Sequence, residues 1–206
     1  MTFRVAQMSR DHISGVVALQ RACFPSPFPE ELLWQSQHIA HHLQLFPAGQ
    51  FVALAEGMVV ASASSTRISE ENWNSHLNWQ ETVGGPFLKT LDPLGSTLYG
   101  LDISVHPDFR GKGVGRRLYH HRFDLVRGLN LKRFGTACRI PGFTEFRRSQ
   151  REATADDYAK LVAEGLLVDR TMTPLLKYGL SFLAVIHHYM EDQESGDAAA
   201  LLSWVP

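Results

Sequence analysis

Arg110-Gly111-Lys112-Gly113-Val114-Gly115, followed by Arg116 and Arg117, places three glycines and four cations within eight residues. Glycine lets backbone N–H groups come close to a ligand, and at the start of a helix those groups lie at the positive end of its dipole. The chemistry this serves is the holding of an anion, above all a phosphate. Two common phosphate motifs fail here. A nucleotide P-loop needs Ser or Thr after Gly-Lys, but Gly111-Lys112 is followed by Gly113. The dinucleotide fingerprint G-x-G-x-x-G is missed because the third glycine, Gly115, comes one residue early. The pattern that fits is [QR]-x-x-G-x-[GA], preceded by Val105-His106-Pro107-Asp108-Phe109.

Other reactive side chains stand nearby in sequence. In the run Leu98 to Val105, Leu101, Ile103 and Val105 alternate with Gly100, Asp102 and Ser104. Asp102 is then a carboxylate on an interior strand, pointing away from the obvious core face. Cys23 and Cys138 are the only cysteines, which indicates no disulfide framework and fits a reducing compartment. The pairs His41-His42, His120-His121 and His187-His188 invite a metal reading. Adjacent histidines diverge on a strand or a helix, and His38 with His42 has helical spacing without helpers, so no metal is expected.

These groups need elements to position them. A strand over Phe3 to Gln7 leads to a helix over Asp11 to Cys23, with Ile13, Val16, Val17, Leu19, Gln20 and Phe24 on one face. Phe24-Pro25-Ser26-Pro27-Phe28-Pro29 stops it, and a second helix is expected from Glu30 to Leu45, bearing Trp34. Phe51 to Ala55 and Met58 to Ser65 form a hairpin across Glu56-Gly57. Residues 67 to 97, with Trp73 and Trp79, lose periodicity and read as a partly ordered excursion over the sheet.

The glycine loop opens a one-sided helix in which Leu118, Tyr119, Phe123, Leu125, Val126 and Leu129 share the apolar half. Arg122 falls in that half too. A packed stem with its head snorkelling out is the expectation, a buried ion pair the alternative. Lys132 to Cys138 makes a parallel strand, and Arg139-Ile140-Pro141-Gly142-Phe143 breaks it. A polar zone follows over Thr144 to Asp157, then helices near Ala155 to Gly165 and Met172 to Tyr178, and strands over Leu180 to Met190 and Ala198 to Val205.

At 206 residues one domain over 1–206 is expected, and a net charge of −1 disfavours nucleic-acid binding. No run reaches the ~20 apolar residues of a membrane span. The N-terminus lacks a signal-peptide core, so a cytoplasmic protein without membrane partners is expected.

On the motif from Val105 to Gly115 the chain resembles the GNAT superfamily of acyl-CoA-dependent N-acyltransferases, whose central motif looks like V-x-P-x-x-[RQ]-G-x-G-[IV]-G. The order of elements resembles that family over nearly the whole chain, and Tyr178-Gly179-Leu180 sits at its leucine-Gly-Phe signature. ASASS, TLYGLDISVHPDFRG, GRRLY, NLKR and RIPG are most similar to bacterial GNAT domains sometimes fused to nitrilase-type hydrolases.

The resemblance implies an α/β fold: a central mixed, mostly antiparallel sheet, splayed between strands four and five, with helices on both faces. It implies acetyl-CoA as co-substrate, its pyrophosphate against the backbone from Gly111 to Arg116, including Lys112, Gly113, Val114 and Gly115, with Arg110, Lys112 and Arg116 adding charge. Pantetheine would pair with Ile103, Ser104 and Val105. The acceptor would be a small-molecule or peptide amine, near Phe28, Trp34 and Arg139, and a homodimer is left open. Asp102 is then either the acceptor of the amine proton or the partner of Arg122 or Arg139 in an ion pair. The family's usual thiolate acid, a Tyr, is Leu175 here, leaving Tyr178, Tyr99 or water. A CoA-binding regulatory or interaction domain with little or no turnover is the alternative.

Overall fold

The computed structural model describes residues 2–26 and 30–206. Seven strands, β1 (Arg4–Gln7), β2 (Gln50–Ala55), β3 (Met58–Ile68), β4 (Thr97–Val105), β5 (Arg133–Arg139), β6 (Ser181–Ile186) and β7 (Ala199–Trp204), lie in one sheet in the order β1-β2-β3-β4-β5-β7-β6. Among the described residues only β4 and β5 run parallel, as expected for strands joined through a helix. The hairpin turns on Glu56 and Gly57, both at positive φ.

Helices α1 (Ile13–Cys23), α2 (Ser36–Leu45), α3 (Glu70–Ser75) and α4 (Trp79–Val83) cover one face. There Val16 and Ile39 pack with Val52 and Leu54, and Trp73 and Val83 with Tyr99 and Leu201. The other face carries α5 (Val114–Gly128), α6 (Phe143–Ser149), α7 (Ala155–Ala163) and α8 (Met172–Lys177). Val114 and Leu118 bury against Ala53 and Ala61, while Tyr119, Phe123, Tyr158 and Met172 bury with Phe134 and Leu202.

Several expected elements change. The helix from Glu30 is a single 3-10 turn, Glu30–Leu32, and the α-helix starts only at Ser36, behind Gln35 in extended conformation. The excursion is more ordered than its sequence suggests: Ser69 and Asn78 cap α3 and α4 through their side chains. Glu70 grips Arg133 with two bonds of 2.9 Å, which hold its carboxyl down at about 2. The Trp73 ring lies directly over Gly135, where any side chain would collide with it. Helix α6 falls in the zone read as polar loop, anchored by buried Phe143. The final strands are shorter than their apolar runs.

Candidate functional site

His106 caps the turn that ends β4, its Nδ1 accepting from the Asp108 N–H, and Pro107 opens a 3-10 turn. Gly111 and Gly113 then sit at φ 72 and 80, a left-handed backbone that costs other residues strain. Gly113 is the N-cap of α5, and a Cβ at either glycine would meet only open space. Among the described residues, no N–H from Gly111 to Arg116 has a backbone acceptor outside the helix. These donors lie in a stretch where Lys112 and Arg116 are exposed, while Val114 is buried and anchors the turn. Arg110 folds back, its Nε donating to the Val105 carbonyl at 3.1 Å.

The central strand is prepared for a guest. Pairing between β4 and β5 consists of Thr97 with Arg133, Leu98 with Phe134 and Tyr99 with Gly135, and then stops. From Gly100 to Val105 the β5-side edge of β4 has no strand partner among the described residues. Just past the parting, a bulge opposite Ser64 and Ser65 leaves Leu101 without a register partner. Two of its carbonyls, those of Ser64 and Asp102, accept from the same Nη2 of Arg122, the former at 2.7 Å. Arg122 is 1% exposed and its guanidinium lies 5.2 Å from the Tyr119 ring centre and 5.4 Å from that of Phe134. Its head therefore does not snorkel to water. It bonds backbone carbonyls inside the sheet, where the wheel shows it among apolar neighbours.

On the opposite face, Asp102 meets helix α1. Gln20, 3% exposed, donates through Nε2 to Asp102 Oδ2 at 3.1 Å and to Ser104 Oγ at 2.9 Å. Burial pushes the Asp102 carboxyl up to about 6, against the pull of the Arg122 cation and of the donors Ser104, Gln20 and Trp34. Gln20 was visible in sequence only as a polar residue on an apolar helix face. Cys23, one turn on, is raised by burial, with Arg110 and Ser104 acting against it.

Tyr178 and the glycine loop converge from separate parts of the chain. A Cβ on Gly115 would lie 3.7 Å from the Tyr178 hydroxyl and 3.9 Å from Val105. Tyr178 also packs on Tyr119 at 5.5 Å, and partial burial raises its hydroxyl above the ordinary tyrosine value. Leu175 is buried in the core beside it, and Tyr99 is bonded to Tyr189 deep in the sheet at 2.9 Å. Cys138 is buried packing.

Arg139 is committed elsewhere. Its Nε and Nη2 each lie 2.6 Å from Asp192, and Nη2 lies 2.8 Å from Glu194, so its charge is answered within the chain. It pairs with neither an open cleft nor Asp102. Trp34 does stand by Asp102, with its ring 4.9 Å from His42 and 6.1 Å from Trp79. His42 is pushed down to about 4 by burial, and its Nε2 bonds the Pro86 carbonyl at 2.8 Å. Phe28 lies outside the described residues.

Comparison with known proteins gives this geometry a family. A model described as the acetyltransferase (GNAT) family matches residues 13–143. An uncharacterized N-acetyltransferase of Bacillus subtilis, YkwB, is 33% identical over 192 residues, 93% of this chain and 84% of that protein. YhcX of the same organism, a probable hydrolase, is 31% identical over 97% of this chain, which spans only 38% of it. Among solved structures, the GphF GNAT-like decarboxylase in complex with isobutyryl-CoA superposes with a TM-score of 0.81 at 20% identity, over 98% of each chain. The loading GNATL domain of CurA from Lyngbya majuscula gives 0.78 at 17%, over 100% of this chain and 98% of that one. The acetyltransferase yncA from Salmonella typhimurium, with its cofactor acetyl-CoA, gives 0.58 at 13%, over 100% of this chain and 94% of that one.

Proposed function

Because the chain belongs to the acetyltransferase (GNAT) family of acyl-CoA-dependent N-acyltransferases, we propose that it moves acetyl from acetyl-CoA to a primary amine by direct attack in a ternary complex. The observation that carries this reading is the meeting of the free β4 edge with the glycine loop at one end of the same strand. The residues fit the donor. The pyrophosphate rests on the N–H groups from Gly111 to Arg116, with Lys112 and Arg116 supplying charge. Ile103, Ser104 and Val105 lie on the β4 edge that β5 leaves free, open to the pantetheine amides as a sheet edge is to an added strand, with the Val105 carbonyl already accepting from Arg110 Nε.

In the reaction, the Asp102 carboxylate takes the proton of the attacking amine, directly or through water, as the nitrogen bonds the thioester carbon. An ordinary carboxylate is too weak a base for this, and burial brings Asp102 closer to the working pH. A β4 N–H holds the oxyanion. The departing thiolate takes a proton from Tyr178, whose hydroxyl stands by the loop, or from water. Trp34 walls the acceptor side, where a small-molecule or peptide amine enters. Incubation with acetyl-CoA and a panel of amines tests the proposal. Free thiol appearing only with an amine supports it; stabilisation by CoA with no thiol released under any amine points to a binding module instead.

A second reading is favoured by shape. The GphF GNAT-like decarboxylase and the CurA loading GNATL domain superpose far better than yncA, and in sequence buried Leu175 takes the position of the family's usual thiolate acid. Decarboxylating a 2-carboxyacyl-CoA, a malonyl-type thioester, breaks a C–C bond, releases carbon dioxide and leaves an enolate that takes a proton from water at carbon; the thioester stays intact, so no acid is needed for a thiolate. With malonyl-CoA as probe, carbon dioxide and acetyl-CoA formed without free thiol would establish it.

A further inference from the structure

Arg122 is the one cation on the buried face of α5, and nothing in the reaction as written uses it. Its hydrogen bonds to the sheet fall at a single place, the bulge one residue beyond the point where β4 has left β5. A bulge leaves carbonyls that the strand ladder cannot use, and buried carbonyls need donors. Arg122 supplies one nitrogen to two of them, Ser64 on β3 and Asp102 on β4. Its Nε finds no hydrogen-bond partner among the described residues, so the cation is held there at a cost that aromatic packing alone does not explain.

We infer that Arg122 is a positioning residue of the acyl-transfer site: from behind the sheet it fixes the bulge that shapes the free edge of β4, and it places a positive charge behind the Asp102 carboxyl. The inference rests on Asp102 being the proton acceptor. The groups facing Asp102 are Gln20 and Cys23 from α1, Trp34 from the following segment, Ser104 on its own strand and Arg122 from α5, with Arg110 beyond Cys23. Of these only Arg122 and Arg110 are permanent cations, and Arg122 is the one that acts on the carboxyl. Facing Arg122 are Tyr119 on its own helix, Phe134 on β5 and the two carbonyls. A neutral tyrosine offers it no counter-charge, so Asp102 is its nearest acid.

Two substitutions separate charge from bracing. Arg122→Gln keeps an amide donor for a carbonyl and removes the charge, while Arg122→Lys keeps the charge on a stem one bond shorter, whose ammonium falls short of the two carbonyls that Nη2 reaches. In Arg122→Gln the acid limb of kcat/KM moves up by about one pH unit, so activity at about pH 6 falls roughly fivefold beyond any loss at about pH 8.5. In Arg122→Lys the limb stays in place while the KM for acetyl-CoA rises about tenfold. A limb unmoved in folded Arg122→Gln overturns the inference and leaves Arg122 a brace. Should Arg122→Gln fail to fold, Arg122→Lys decides: an unmoved limb with a raised KM sustains the inference, and a displaced limb or an unchanged KM overturns it. Asp102→Asn guards the premise. A limb that persists in that variant refutes Asp102 as the base, whatever Arg122 does.

Discussion

Gln20 on α1 holds the Asp102 carboxylate at 3.1 Å with the same amide nitrogen that reaches Ser104, so one buried side chain fixes both polar residues on this face of the central strand. A hydrogen bond to the charged form of an acid favours that form. Gln20→Leu, which fits the apolar helix face, removes it. The expected outcome is a kcat/KM lower by about tenfold near neutral pH, with the acid limb displaced upward. A pH profile of the purified variant checks this, and a limb at the wild-type position would deny Gln20 its role.

Asp102 makes the protein less stable where it makes it active. Its folded value of about 6 lies above the ordinary carboxyl value, so between about pH 4 and 6 the folded chain holds a proton that the unfolded chain has released. Stability from this group is full below that window and declines as pH rises through it. Asp102→Asn is therefore expected to raise the melting temperature at about pH 8 by several degrees, on the order of 2 kcal/mol, with the gain fading by about pH 4. Thermal unfolding at the two pH values measures it.

At Gly113, φ of 80 charges any other residue for its backbone even though space for a Cβ is free. Gly113→Ala should cost about 1 kcal/mol of stability and weaken CoA binding at least tenfold, because the relaxed turn no longer aims its N–H groups together. Calorimetric titration with CoA tests the second effect separately from the first.

Arg139→Ala should alter folding and leave the acceptor untouched. Burial alone would raise Asp192, yet Arg139 and Ser195 hold it below the usual carboxylate range. Asp192 therefore contributes stability at neutral pH that is lost as pH falls through its depressed value. The variant should lose about 2 kcal/mol at neutral pH, less in acid, with the acceptor KM unchanged. A KM for the amine raised more than about tenfold would return Arg139 to the binding site.

The glycine loop, the hairpin and the amphipathic face of α5 were legible because each is local: turn chemistry, spacing and period are written in consecutive residues. Arg122 was legible as an anomaly but not as a solution, since its partners lie on β3 and β4, 58 and 20 residues away. Arg139 illustrates the same limit. Its anchors, Asp192 and Glu194, stand in a distant acidic turn that reads in isolation as a solvated loop. The helices α3 and α4 were hidden for another reason. They are a turn or two long, and their stability comes from the caps at Ser69 and Asn78 and from the fit of Trp73 over Gly135, not from period.

The three-rung contact between β4 and β5 makes the sheet two leaves on a narrow spine. One leaf runs from β1 to β4 and the other joins β5, β7 and β6. A donor laid along Ile103 to Val105 would stitch the leaves beyond the spine, so loading should slow hydrogen exchange in both at once, including amides that never touch it. The substrate would then serve, for the length of a turnover, as part of the architecture that binds it.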